Sequence, residues 1–453
     1  MKKTLLLSVV ASTMIMAGGD IAPVEPVVET PVVAAASGWD FSGQGVVYYQ
    51  TMDGQTGSLF DNGQGTQTAS HTNNEGYSQG AAGVQISAVN KNIWNGFGAG
   101  AEVSAISDLY LFPEVVSNFA QTANNTGITG DLLNNRMGAA DSGAEITQAY
   151  LTYGIGNTSI KLGRQTLPKS LSPFAFSESW NVFKNTFDAA LVVNTDISDT
   201  TLVFADVKAA NSSLALGTFG QLNKNDGAYM LTAQNKSIDG LTLTGSYYFA
   251  PDFANNFGTA NGGDVNIFWA DAKFAISDLS VALQGGYIDA DMTAGDKNTQ
   301  AYGAKVGYDF GMFDAALAYS HVNDGSVAVV NFGGVKTPLY TQTILDQSSI
   351  SLDSDTFKLS AAAKLLGGKL GAYYVYSDLG KASNGLATLM SGAYTPAQIA
   401  SGNNAGTYQE FSVNYKTKLT DNITLFTAYV NQNDDRLVDD TQNFARVWAR
   451  YNF

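Results

Sequence analysis

The feature that most constrains the fold is an alternation of apolar and polar residues with a period of two, repeated from Trp39 to the C-terminus. In one such run, Phe313 and Leu317 fall on one face of a strand, and Asp314 and Ser320 fall on the other. Each run spans about ten residues, the length that a tilted strand needs to cross a bilayer. Strands of soluble proteins are nearer five or six residues. We therefore expect an all-β fold, a transmembrane antiparallel up-and-down β-barrel.

The composition excludes several other classes of protein. The chain has 453 residues, a net charge of −16 and no cysteine, so it forms no disulfide and no thiolate metal site. Only 14% of its residues are charged and 45% are hydrophobic, whereas about 25% are charged in soluble proteins. Because an acidic chain repels nucleic-acid phosphates, we expect no nucleic-acid partner.

The N-terminus predicts export. Two lysines precede an apolar run, Thr4–Met16, and small residues follow it, which is the pattern of a signal peptide over residues 1–17. Residues 18–38, with prolines among valines, are expected to form a periplasmic linker. The barrel domain is expected over residues 39–453. Outside the signal peptide, no stretch approaches 18 consecutive apolar residues, so the sequence offers no membrane-spanning helix.

The connections between the runs alternate in length. Short links such as Gly154–Thr158 and Leu366–Gly368 alternate with long ones such as Asp108–Ala144 and Val322–Leu352. We count eighteen strands, eight short turns and nine long loops, and the strand count is good to within two. Outer-membrane barrels have this sidedness, with tight periplasmic turns and longer extracellular loops. The outer membrane is therefore the expected location, and its lipid is the expected partner of the apolar face.

A barrel of this size encloses a lumen too wide for the wall side chains to fill. The region before the first strand is too short to form a plug domain. We therefore expect an aqueous channel that is narrowed by one long loop folded inward.

Three segments carry a resemblance to a known family. Ser159–Gln165, Leu167–Phe174 and Trp180–Asp188 look like the third-loop region of bacterial outer-membrane porins. Together with the Pro-Val-Glu linker and the last three residues, they most resemble the major-outer-membrane-protein porins of Campylobacter-like bacteria. The resemblance implies an eighteen-stranded homotrimer with an inward-folded third loop, through which ions and small hydrophilic solutes diffuse passively.

The C-terminal Tyr451 and Phe453 resemble the signal by which the barrel assembly machinery recognises its substrates. The resemblance implies that this machinery is a partner of the chain. A lipid-facing aromatic girdle is the alternative interpretation of these two residues, and both interpretations can hold.

We expect such a channel to select solutes by their size and by the electric field at its narrowest point, without any reaction. Charged side chains that face each other across a narrow opening bias ions by sign. The alternation points Lys161 into the lumen. Arg164 has the opposite parity and faces lipid, unless it lies above the hydrocarbon or a bulge turns it inward. The candidates for the pore constriction are Lys161, Arg164, Lys169, Glu178, Lys184 and Asp188.

Other charged residues fall on the polar faces of predicted strands and form a candidate lumen wall. A water-lined wall with no selective role is the alternative for each of them, since lumen faces are polar in any case. These candidates are Lys305, Asp309, Asp314, Lys358, Lys364, Glu410, Lys416, Arg446 and Arg450.

The excess of carboxylates suggests a weak preference for cations. Acidic residues such as Asp289, Asp291 and Asp296, and Asp434 with Asp435, fall in predicted loops, where they would attract cations to the mouth. Clustered carboxylates are also ligands for calcium, but their spacing here is not that of an EF-hand. Loop-bound calcium is therefore the alternative to solvated acid, and we expect no other cofactor and no metal.

Two other functions compete with transport. The chain has two histidines, His71 and His321, and lacks the nucleophile and metal motifs of hydrolases, so we expect no enzyme. Long exposed loops rich in Asn, Thr, Ser and Gly would also suit a surface adhesin or structural protein. This alternative is compatible with a pore.

Overall fold

The protein is described from a computed structural model. The structure describes residues 38–53, 58–60, 77–107, 118–123, 142–179, 181–211, 215–253, 263–291, 297–334, 336–345, 347, 349–381, 405–436 and 441–453. The predicted signal peptide and all but the last residue of the linker lie outside these residues, as do His71 and Trp180. Within the described ranges, no helix is long and apolar enough to span a membrane.

Eighteen long strands form the wall, as the sequence predicts. The first nine are β1 Asp40–Met52, β2 Tyr77–Trp94, β3 Phe97–Ser107, β4 Gly143–Ile155, β5 Thr158–Gln165, β6 Phe187–Asn194, β7 Thr200–Asn211, β8 Ala228–Asn235 and β9 Leu241–Ala250. The others are β10 Val265–Ile276, β11 Leu279–Ala290, β12 Thr299–Asp309, β13 Phe313–Val322, β14 Ser354–Leu365, β15 Gly368–Leu379, β16 Gly406–Lys418, β17 Ile423–Asp434 and β18 Thr441–Asn452. Two short strands, Asn118–Phe119 and Phe219–Gln221, and a 3₁₀ turn, Leu222–Asn225, lie in loops.

The sheet closes on itself. Each wall strand pairs antiparallel with the next, and β1 pairs with β18, where Gly45 lies opposite Tyr451. Beyond the end of β18, Gly43 and Phe453 exchange two backbone hydrogen bonds of 2.9 and 3.0 Å. A closed sheet pairs every backbone ladder internally, which is what a lipid environment requires. The predicted barrel is confirmed.

The alternation of short and long connections is also confirmed. Eight links between successive strands contain two to five residues, from the Asn95–Gly96 turn between β2 and β3 to the link between β16 and β17. The nine others are longer, and each joins two strands at the opposite end of the barrel.

The two faces of the wall differ as the sequence predicts. On β13 and β14, Leu317 and Leu359 are exposed on the outer face and lie directly opposite each other. Their neighbours in the sequence, Ala316 and Ser360, are buried on the inner face. The inner face is called the lumen face below.

Two long connections fold into the barrel and pack on the lumen face. The first inward loop, residues 166–186, is the third-loop segment whose inward fold the sequence predicts. The described residues between 323 and 353 form a second inward loop, which the sequence does not predict. Leu167 and Phe174 of the first loop and Leu339 of the second join one apolar cluster with wall residues of β6 to β13. This part of the lumen is therefore filled by protein.

Candidate functional site

The two inward loops are bonded to each other. The amide of Asn331 spans both loops, because its Oδ1 accepts from the backbone of Phe176 at 2.8 Å and its Nδ2 donates back to the Phe176 carbonyl at 2.9 Å. Glu178, a constriction candidate, is buried at this junction, where its carboxylate accepts from the backbone N–H of Lys336 at 3.0 Å. Asn185 donates to the carbonyl of Gly333 at 2.9 Å. The loops therefore form one unit, called the plug below.

Lys169 and Lys184 belong to the same plug. The ammonium of Lys169 donates to the carbonyl of Thr337 at 3.3 Å and lies 5.1 Å from the ring of Phe176. Lys184 is partly exposed on the first inward loop. Both basic candidates are thus carried by the structure that narrows the lumen.

Glu410 fixes the plug to the wall. Its carboxylate, fully buried on the lumen face of β16, accepts from the backbone amides of Ile344 and Leu345 at 2.7 and 3.0 Å. The hydroxyls of Tyr373 and Tyr408 donate to the same carboxylate. This candidate of the lumen wall is covered by the second inward loop.

Lys358 makes a similar contact from β14. Its ammonium donates to the carbonyl of Gln342 and lies 4.1 Å from the ring of Tyr373. With only 3% of the side chain exposed, this lysine holds the loop and is not open to the lumen.

The two arginines of β18 lie on the lumen face beside β1. Arg446 donates to Oε1 of Gln50 at 3.2 and 2.8 Å and is almost fully buried. Arg450 donates to Gln44 and, at 2.9 Å, to the carbonyl of Val182 in the first inward loop. Arg450 therefore connects the wall to the plug.

Three lysines lie in one row near the short-turn end of the lumen. Lys364 of β14 is opposite Lys369 of β15, which is in turn opposite Lys416 of β16. Like charges directly opposite each other destabilise a sheet. One described counter-charge nearby is Asp314, whose carboxylate lies 3.5 Å from the ammonium of Lys369, and Asp309 lies directly opposite Asp314. We call Lys364, Lys369 and Lys416 the lysine row.

The remaining wall candidates have separate positions. Lys161 lies on the lumen face of β5 with its ammonium 3.7 Å from the ring of Tyr150. Lys305 lies on the lumen face of β12, opposite Ala318. Asp309 ends β12, and its carboxylate accepts from the backbone of Gly311 at 2.7 Å, so it caps a turn.

Arg164 and Asp188 require a correction, because the structure places them on the outer face. The β4–β5 register is continuous through Arg164, which lies opposite Ala149, so no bulge turns its side chain inward. Its guanidinium binds the carboxylate of Asp188 at 2.9 and 3.2 Å and stacks on the ring of Phe219 at 3.4 Å. The pair holds the loop after β7 against the long-loop end of the wall.

The sequence analysis does not single out several charged residues of the lumen. Glu102 on β3 accepts from the hydroxyls of Ser87 and Thr147, both at 2.9 Å. On β10, Asp271 pairs with Lys273 at 3.1 Å and accepts from the hydroxyl of Tyr340, which belongs to the plug. Burial and the adjacent carboxylate raise the pKa of Tyr340 far above its usual value. The alternation of lumen-facing and outward-facing positions along β3 and β10 is the sequence signal that could have identified Glu102 and Asp271.

Tyr451 and Phe453 lie at the short-turn end of the outer face, with both rings exposed and their centroids 5.8 Å apart. This is the position of an aromatic girdle, and a role in assembly stays a prediction.

At the other end of the outer face, His321 Nδ1 lies 2.9 Å from the carboxylate of Asp355. Within the described ranges, no three His, Asp or Glu side chains are placed to hold a metal ion. Of the acidic loop residues, Asp296 lies outside these ranges.

No family model matches the sequence, and no curated protein matches it. Solved structures do match. OccK8 (OprE) of Pseudomonas aeruginosa is 12% identical, with a TM-score of 0.66 over 92% of this chain and 98% of that one. OccAB3 of Acinetobacter baumannii is 11% identical, with a TM-score of 0.67 over 92% and 99%.

The outer membrane protein OpdK of P. aeruginosa is 10% identical, with a TM-score of 0.63 over 91% of this chain and 99% of that one. A second OpdK structure, determined with vanillate, gives a TM-score of 0.65 over 91% and 98% at 11% identity. At these identities the likeness establishes the fold alone, a closed antiparallel β-barrel like that of the outer membrane protein OpdK.

Proposed function

We propose that the protein is an outer-membrane porin through which ions and small hydrophilic solutes diffuse passively. The observation that carries this proposal is a closed eighteen-stranded wall that is apolar outside, carries polar and charged side chains inside around the docked loops, and has these two loops bonded across its lumen. A wall of this kind needs lipid on its outer face and water on its inner face. No reaction is required of any residue.

Proteoliposome swelling tests the diffusion proposal. Vesicles that contain the purified protein should swell in an isotonic solution of a neutral pentose, while protein-free vesicles should not. Swelling at the protein-free rate would overturn the proposal. Surface binding by protein that does not admit solute would instead favour the adhesin, which relies on loops that lie largely outside the described residues.

We propose further that the lumen favours anions. The loop carboxylates lead the sequence analysis to a cation preference, but the lysine row and Lys305 carry positive charge on the lumen face itself, where the described carboxylates include Asp309 and Asp314. A wall charge acts at closer range than a loop charge, since salt screens a field within about 8–10 Å. The comparisons support this proposal in one respect: a structure of OpdK, which has the same fold, was determined with vanillate, an organic carboxylate anion.

The reversal potential in a potassium chloride gradient decides between these two hypotheses. Its sign should correspond to a larger chloride permeability. A larger potassium permeability would overturn the proposed anion preference and support the loop carboxylates.

The partners implied by the family resemblance also remain proposals. We propose assembly by the barrel assembly machinery, supported by the exposed terminal Phe453, and association into a homotrimer. The mass of the protein in detergent, measured by light scattering, tests the trimer: three chains per particle support it, and one chain overturns it.

A further inference from the structure

Large apolar side chains are exposed at all eight short links of the barrel. Trp94, Ile155 and Ile276 end the strands that precede the first, second and fifth links, and the other five links themselves contain Ile197, Ile238, Met312, Leu366 and Leu419. Met312 and Leu366 are 83% and 86% exposed, so the protein itself does not cover them. Turns that stand in water are usually polar. The repetition at eight separate links calls for one environment that they share.

In the turn between β14 and β15, the backbone conformation makes a leucine unexpected. Leu366 and Gly367 both have positive φ, 49° and 77°, as a two-residue hairpin turn requires. Asn is favoured at the first such position, and Asn95 occupies it in the first turn at 43°. Leucine is disfavoured there, yet its side chain projects from the end of the wall.

Polar side chains already accept from backbone N–H groups in several of these turns. Asp309 accepts from the backbone N–H of Gly311 at 2.7 Å, Asn194 accepts from that of Asp196 at 3.1 Å, and Asn235 accepts from that of Ser237 at 3.1 Å. The aliphatic side chains are therefore not needed to build the links.

The extent of the apolar outer face along the membrane normal can be compared with the thickness of the apolar band of outer-membrane barrels. On β14, the outer face is apolar from Phe357 to Leu365 and becomes charged at Asp355. Ten residues separate Asp355 from Leu365, about 33 Å along the strand and about 25 Å along the membrane normal at the usual tilt. An outer-membrane barrel presents an apolar band of about 25 Å. The band therefore reaches the end of the strand.

The apolar outer face of β13 alone is too short to cover this band. His321 marks the upper limit of its apolar face and Phe313 the lower end, eight residues away, which corresponds to about 20 Å by the same conversion. Phe310 and Met312 of the adjoining turn extend the surface downward, and the Phe310 ring stacks on Phe313 with centroids 4.7 Å apart. The turn side chains thus continue the lipid-facing surface without a break.

We infer that the short links are immersed in the periplasmic leaflet, where their aliphatic side chains contact phospholipid and fix the depth of the barrel. This inference rests on the proposed outer-membrane location. Its partner is a phospholipid surface, and a periplasmic protein is the alternative that the experiment must separate.

Spin labelling can test the inference, because the chain has no cysteine. Single-cysteine variants Ile238→Cys and Leu419→Cys place a nitroxide at two links, in vesicles that contain phospholipid and this protein alone. Leu359→Cys, on the apolar outer face, is the lipid reference, and Asp324→Cys, half exposed in the second inward loop, is the water reference. The measurement compares collisions with oxygen and with a water-soluble nickel chelate.

Immersed links should give an oxygen-to-nickel collision ratio severalfold above that of Asp324→Cys and close to that of Leu359→Cys. A ratio equal to that of Asp324→Cys at both links, with Leu359→Cys still protected from nickel, would overturn the inference and leave the links free for a protein partner. If Leu359→Cys were also exposed to nickel, the proposed membrane location itself would fail. Asp239→Cys, beside Ile238, should lie nearer to water than its neighbour.

Discussion

The carboxylate of Glu410 accepts the backbone N–H of Ile344 at 2.7 Å, and through this bond a wall strand fixes the loop that narrows the lumen. The neighbouring amide of Leu345 binds the second oxygen of the same carboxylate at 3.0 Å. The second inward loop is held at Ile344 by Glu410 and at Asn331 by Phe176. It therefore narrows the lumen without having to close on a solute. The constriction is therefore formed before any solute enters.

Removing this anchor should loosen the second inward loop. In Glu410→Ala, the buried backbone N–H of Ile344 and the partly buried one of Leu345 lose their acceptor, at about 1–3 kcal/mol for a buried unsatisfied group. We expect faster tryptic cleavage after Lys336 and greater current noise in the open channel. Asp314→Ala, a lumen variant with no described bond to the plug, should leave both unchanged. Equal cleavage rates in Glu410→Ala and the wild type would contradict the anchoring role.

The lysine row should set the sign of ion selectivity. The triple variant Lys364→Gln, Lys369→Gln and Lys416→Gln removes three positive charges from the lumen wall without changing side-chain length greatly. We expect its reversal potential in a salt gradient to move toward that of a cation-selective channel, because the local field weakens. Lys208→Gln, on the outer face, is the matched control and should not move it. An unchanged potential in the triple variant would refute the assignment.

Phe174 should be the main apolar contact of the first inward loop. The ring is fully buried, with centroids 5.6 Å from Tyr248 and 5.2 Å from Trp269. Phe174→Ala should cost about 3–5 kcal/mol of docking stability, so the loop should detach and the unitary conductance should rise. Phe357→Ala, exposed on the outer face, should keep the wild-type conductance. The prediction fails if Phe174→Ala also keeps it.

Lys161 and Arg164, three residues apart, should behave differently. Lys161→Ala removes a charge from the lumen face and should reduce chloride permeability relative to potassium. Arg164→Ala breaks an ion pair that is 27% and 35% exposed, worth under about 1 kcal/mol, and it should leave selectivity unchanged. Reversal potentials of the two variants in parallel provide the check. A larger shift in Arg164→Ala would mean that its side chain reaches the lumen.

The wall could be predicted from sequence because its signal is local. Each strand carries its own period of two, and each turn its own breaking residues, so Phe313 and Asp314 reveal their faces without knowledge of any partner strand. The same parity also indicated that Arg164 points outward in a regular strand. The outward position of Asp188 depends on its pairing with Arg164 across β5 and β6, which the sequence analysis did not predict.

The plug could be predicted only in part. The first inward loop was expected from its position and its resemblance to porin loops. The second carries no period, and its place depends on single distant contacts, such as that of Asn331 with Phe176. The burial of Glu410 likewise depends on a loop more than sixty residues away in the chain. Such contacts leave no pattern in a single sequence.

The most direct test of the central claim is the current through a planar lipid bilayer exposed to nanomolar purified wild-type protein. A water-filled barrel predicts discrete, uniform upward steps in conductance that persist at low voltage. A bilayer whose current stays at the protein-free level, while the protein is shown to be folded and inserted, would contradict the account.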